Sequence, residues 1–116
     1  MKKLLLVAIL AFVGFNANSQ VIVDDVNIND LDIKYVELVG RNKIGFGKIK
    51  VIVDYGQPLK IFTSQAIRAA DGTKAAFNSM IDALNFMEAN GWEFVSNYVV
   101  PGPEENEVRY ILRKGE

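Results

Sequence analysis

The chain of 116 residues contains no cysteine and no histidine. Each absence removes chemistry. Without cysteine there is no disulfide, so the fold rests on its apolar core alone. The usual structural zinc sets are excluded, as are the Ser-His-Asp and Cys-His arrangements. No side chain has an ordinary pKa near neutrality. Acid–base work would fall to a carboxylate pair or a shifted lysine. A basic excess is missing as well: 13 Lys and Arg stand against 14 Asp and Glu. That argues against a nucleic-acid partner, which wants a basic patch. It also gives no polybasic footprint for a membrane surface. No repeat, low-complexity tract or linker divides the chain, and its length fits one domain.

The one long apolar run lies at the start. Lys2 and Lys3 precede Leu4 to Phe15, and Ala17-Asn18-Ser19 follows as a small-residue cleavage pattern. Residues 1–19 are therefore expected to be a signal peptide, with Gln20 as the first mature residue. The run is about a dozen residues, whereas a membrane span needs roughly 20. Loss of Lys2 and Lys3 leaves 11 basic residues against 14 acidic ones, a net charge of −3. With no cysteine to carry a lipid, no membrane anchor is expected after cleavage. The expectation is an exported protein, periplasmic or secreted.

The stretch from Phe77 to Tyr98 organises the rest. Ser79 is placed to cap a helix, and Asp82 puts a negative charge in its first turn. Met80, Ala83, Leu84 and Met87 recur at three and four residues and make one apolar face. Asn90-Gly91 ends the helix, because glycine accepts the left-handed backbone of a C-cap. Trp92 to Val100 then reads as a strand rich in aromatic and β-branched residues. Pro101 and Pro103 stop it, and Val108 to Arg113 returns as its antiparallel partner.

Before the helix, Lys34–Val39 reads as a strand and Gly40-Arg41-Asn42 as a turn. Lys43–Tyr55 reads as a long strand with a bulge near Gly47. Leu59–Phe62 is a further possible strand. Thr63–Ala70 reads as a short strand or irregular segment ending at Asp71-Gly72. Residues 20–31 alternate Val and Ile with Asp and Asn, as an acidic N-terminal arm or an edge strand. Residues 32–114 then form a single α+β domain. The predicted fold is a two-layer α+β sandwich. It has a mainly antiparallel sheet of 4–5 strands, with one helix, about 79–90, packed on one face. The helix seam of Met80, Leu84 and Met87 is expected to lie on Val36, Leu38, Val51, Val53 and one face of the last hairpin.

These residues carry a resemblance. FNSMIDALNFM, GWEFV, Tyr98-Val99-Val100, the closing Tyr110–Lys114 strand and Asp54-Tyr55-Gly56-Gln57 resemble a group of small secreted Bacteroidetes proteins of unknown function. More distantly, a helix followed by Gly-Trp-Glu is similar to a small bacterial α+β domain of unknown function. The resemblance covers most of the chain after about residue 32. It implies a fold and a compartment, and brings no activity, cofactor or catalytic residue.

Candidate chemistry is sparse. Asp24, Asp25, Asn27 and Asn29 offer hard oxygens of the kind calcium takes. Their spacing is not that of an EF-hand loop, so a solvated acidic arm is favoured and no metal is expected. Gly45-Phe46-Gly47-Lys48 lacks the rest of a phosphate-binding pattern. Glu88 and Glu93 flank the helix–strand junction and form the one candidate carboxylate pair. A small hydrolase acting on glycans or cell-envelope material would need such a pair in a cleft. The bland alternative puts Glu88 on the helix surface and Glu93 on the outer face of the strand. Trp92, Tyr98, Tyr55 and Gln57 are the candidate binding residues, since aromatics stack on sugars and anchor partners. For Trp92, core packing under the helix end is the competing reading.

Three functions stay open. The leading one is a non-enzymatic binding or interaction module for a protein, a peptide or a glycan, with no cofactor. The second is the carboxylate hydrolase. The third is a module that pairs a free sheet edge with a second copy or a client strand. That reading requires a long edge strand without charges or prolines.

Overall fold

The helix begins where its cap residue dictates. In the computed structural model, residues 19–41, 49–58, 65–103 and 106–115 are described. Ser79 accepts the Asp82 N–H at 3.1 Å and opens helix α1, Met80–Ala89. The Asp82 carboxylate reaches back to the Asn78 N–H at 3.0 Å, so both ends of the Ser-x-x-Asp unit are used. Gly91, at φ 91°, turns the chain out of α1. It enters directly into the longest strand.

The described strands are β1 (Ile22–Val23), β2 (Val26–Asn27), β3 (Tyr35–Arg41), β4 (Lys50–Asp54), β5 (Ile67–Arg68), β6 (Trp92–Val100) and β7 (Glu107–Lys114). They sort into two antiparallel sheets, in the orders β4-β3-β7-β6 and β2-β1-β5. The fold is α+β, as expected, with the sequence-predicted strands in the four-stranded sheet and the short ones in a second sheet. Val95 is the extra residue of a β-bulge in β6, where the register shifts between Phe94 and Ser96.

One face of the larger sheet carries the core. Val36, Leu38, Val51, Val53, Leu112 and Trp92 are buried together with Ala83 and Met87 of α1, and Met80, Leu84 and Phe86 pack against them. The expected helix seam therefore lies where it was placed. Gly40 and Arg41 are strand residues rather than a turn. The reason is packing: a Cβ on Gly40 would lie 2.0 Å from Met80 Sδ, so the missing side chain lets the helix approach β3.

Residues 21–31 are built into the fold and are not a loose arm. Val21, Val23 and Ile28 are fully buried. Asp24 and Asp25 make the β1–β2 turn with φ 48° and 70°, the conformation a tight two-residue hairpin demands. Asn29 then fastens the segment. Its Oδ1 accepts the Val21 N–H (2.9 Å) and the Trp92 indole N–H (3.1 Å), and its Nδ2 donates to Asn90 O (2.8 Å). The Lys114 ammonium closes the same junction by donating to Asn29 O and Leu31 O.

The expected signal peptide, the bulge near Gly47, the Gly45–Lys48 loop and the Leu59–Phe62 strand lie outside the described residues, apart from Ser19 at the end of the first.

Candidate functional site

The candidate residues separate sharply once placed. Trp92 is 0% exposed. Its indole is hydrogen-bonded to Asn29 and covered by the Lys114 ammonium, 5.7 Å from the ring centroid. It is a core residue and has no face to offer a ligand; as a binding residue it is corrected. Gln57 is also corrected. Its Oε1 accepts the Tyr55 N–H (2.8 Å) and its Nε2 donates to Val53 O (2.9 Å), so the amide is spent on its own backbone. Tyr55 is half-buried against the core. Tyr98 alone of the four stands well exposed, at 40%.

Glu88 and Glu93 are both engaged. Glu88 Oε1 accepts the Phe94 N–H at 2.8 Å. Glu93 pairs with Arg113 at 3.2 Å, with 54% of its side chain exposed. Asp32 and Glu93 do share an open hollow of about 780 Å³, but Lys34, Arg113 and Lys114 line it with them. Both acids are exposed beside three cations, which is not the closed cleft a carboxylate pair requires. Three of the four candidate calcium donors hold protein groups: Asp24 Oδ1 holds the Ala66 N–H, Asn27 Oδ1 the Asn29 N–H, and Asn29 Oδ1 the Val21 N–H.

What sequence reasoning missed lies on the outer face of the larger sheet. Glu37, Arg41, Tyr98, Glu107 and Arg109 occupy strand positions that face away from the core. Arg41 donates to one oxygen of Glu107. Arg109 donates to the other at 2.7 Å and to Glu37 at 3.0 Å. The Tyr98 hydroxyl donates to the same Glu37 oxygen at 2.8 Å. Arg109, then Arg41, hold the Glu107 carboxyl below its usual range. The hydrogen bond to Glu37 raises the Tyr98 phenol above its ordinary value. The signal was in the alternation Glu107-x-Arg109 opposite Val39-x-Arg41, with Glu37 one step further along β3, but only strand register reveals it.

The edges of this sheet differ. In an antiparallel ladder, backbone groups point alternately to one neighbour and the other. Lys114 N–H donates to Lys34 O, toward β3. The residues of β7 that face β6 are therefore Glu107, Arg109, Ile111 and Arg113. Their partners Val100, Tyr98, Ser96 and Glu93 face inward. Phe94, Asn97 and Val99 face outward. Phe94 N–H is taken by Glu88. Asn97 and Val99 have no backbone hydrogen bond across that edge among the described residues. Around them Phe94, Val95, Tyr98 and Val99 are four of the six exposed large hydrophobic residues described in the chain.

At the opposite edge, β4 is covered at Val53 and, just before it begins, at Ile49. Gln65 Oε1 accepts the Val53 N–H (2.7 Å) and its Nε2 donates to Val53 O (2.9 Å), so one side-chain amide stands in for a neighbouring strand. Gln57 adds a second bond at Val53 O and holds Tyr55, and Ile49 N–H donates to Phe77 O.

Comparison of the chain with protein-family models, curated proteins and solved structures finds no match in any of the three.

Proposed function

We propose that the protein is a non-enzymatic interaction module, exported after loss of residues 1–19, that binds an extended polypeptide segment along β6. One observation carries this reading: β6 is a nine-residue edge strand whose outward groups at Asn97 and Val99 lack partners among the described residues, beneath exposed apolar side chains. Added strands are held by main-chain hydrogen bonds, with side-chain contacts supplying selectivity. From Phe94 to Val100 the strand has no charge and no proline, the two devices that usually blunt an edge. A backbone edge recognises backbone, so a polypeptide suits it better than a glycan. The carboxylate-hydrolase alternative draws no support from Glu88 and Glu93, both of which hold other protein groups.

The test is a titration of isotopically labelled protein with a soluble peptide that copies Phe94–Val100 between charged tails. The amide signals of Asn97 and Val99 should shift most and gain protection from solvent exchange. Shifts confined to other surfaces would end this reading. Mass spectrometry of the exported form should begin at Gln20.

A further inference from the structure

We infer that the occupant of the β6 edge is β6 of a second copy, paired antiparallel about a two-fold axis at Tyr98. The inference rests on the strand-docking reading and names its partner.

The outward groups fix the register. They are few, because both ends of the edge are closed. At one end Phe94 N–H is held by Glu88. At the other, Pro101 has no N–H to give. Between them only Asn97 and Val99 present an N–H and a C=O. In an antiparallel pair, two opposed residues exchange both bonds. An axis at Tyr98 sets Asn97 opposite the other copy's Val99, and Val99 opposite its Asn97, so the N–H and C=O of both residues find partners. An axis at Asn97 would oppose Val99 to the bulged Phe94–Val95 segment, where the Phe94 N–H is already held by Glu88. An axis at Val99 would oppose Asn97 to Pro101. Each of those leaves a carbonyl without a donor.

The side chains agree with the same register. Ser96 meets Val100, and Asn97 meets Val99. Tyr98 meets its own symmetry mate on the outer face, beside Glu37 and Arg109. No charged side chain lies between Phe94 and Val100, so bringing two copies together places no like charges opposite each other. A second copy is self-complementary here.

The two Tyr98 residues would be a non-hydrogen-bonded pair with Cα atoms about 4.5 Å apart, within the reach of a disulfide. Because the chain has no cysteine, Tyr98→Cys introduces its sole thiol. In a thiol–disulfide buffer, the Tyr98→Cys protein should form covalent dimer at a level about tenfold or more above Ser96→Cys, whose two thiols would lie several residues apart in this register. The unmodified protein should sediment as a monomer at about 1 µM and shift toward twice that mass near 1 mM. Val99→Lys should abolish the shift while leaving circular dichroism unchanged, and Ile81→Lys, on the exposed face of α1, should not. Equal cross-linking at residues 96 and 98, or a monomer at every concentration, would overturn self-pairing. Peptide-induced shifts at Asn97 and Val99 would then still stand or fall separately, as the measure of strand docking itself.

Discussion

Strands β4 and β6 both lie at the rim of the four-stranded sheet, yet only on β4 do side chains from other parts of the chain take both outward groups of a residue. Val53, the penultimate residue of β4, gives both backbone groups to the Gln65 amide and shares its carbonyl with Gln57. Strand β6 receives a single carboxylate at Phe94, and its outward groups at Asn97 and Val99 have no partner among the described residues. The strands themselves do not explain this. The residues of β4, KVIVD, are as strand-prone as those of β6, and two of them are buried. The difference comes from where two glutamine amides land. Edge protection here is a property of the flanking loops, and a strand's own composition says little about whether it is free.

The largest way to break that contrast is to unseal β4. Gln65→Ala leaves the Val53 N–H, at a residue 0% exposed, without its partner. An orphaned buried donor costs about 1–3 kcal/mol. The midpoint of urea unfolding should fall accordingly, and association should become more concentration-dependent as a second edge opens. Gln65→Glu keeps an acceptor for the N–H, while Gln57 still serves the carbonyl, so its loss should be smaller than that of the alanine variant. Alanine and parent proteins unfolding at the same urea concentration would show that the amide seal contributes nothing.

The contrast also separates what a linear reading reaches from what it does not. Helix α1 and the β6–β7 hairpin are legible because their signals are local. Ser79, the apolar spacing and Gly91 act within one or two turns, and aromatic and β-branched residues fill six of the nine positions of β6. The core placement of Trp92 is half-legible, since a tryptophan at a helix stop has a surface to bury against. The role of Gln57 is not legible. Its amide reads as an exposed contact until the turn at Gly56 brings it back onto β4. Residues 21–31 fail for a similar reason. Alternating Val and Asp suits a solvated edge as well as a buried hairpin, and the choice is made by Asn29 gripping Trp92 and Asn90 across more than sixty residues of chain. The string from Arg41 to Tyr98 needs strand register, which no single segment encodes.

A smaller effect sharpens the contrast from the other side. Glu88→Ala frees Phe94 N–H and lengthens the open part of β6 by one outward residue. The site is exposed, so water replaces the carboxylate, and the stability loss should be about 0.5–1 kcal/mol. Self-association should rise, in opposition to the stability change. Glu88→Gln, which retains an acceptor, should lie close to the parent in both urea unfolding and sedimentation. A Glu88→Ala protein that associates less than the parent would mean that the carboxylate is part of the interface and not its boundary.

The smallest expected effect is a difference in pH response between the two edges. Beside β6, the outer face depends on groups that titrate. Glu107 has a carboxyl pKa held down first by Arg109 and then by Arg41. A carboxyl lowered in the fold stabilises it above the unfolded value, here 4.5, and that contribution is lost as pH falls through the folded value. The Tyr98 phenol is raised from 10.0, chiefly because it donates to Glu37, a bond the phenolate cannot make. Its contribution is present below 10.0 and is lost as pH rises through the folded value. Stability should therefore be level between these limits and decline on both sides. The Gln57 and Gln65 amides do not titrate, so the seal on β4 should persist at both extremes. Tyr98→Phe should flatten the alkaline decline relative to the parent and leave the acid decline in place, read by urea unfolding across a pH series. An unchanged alkaline limb in Tyr98→Phe would detach this hydroxyl from the stability of the β6 side and leave Glu37 and Arg109 to hold that face alone.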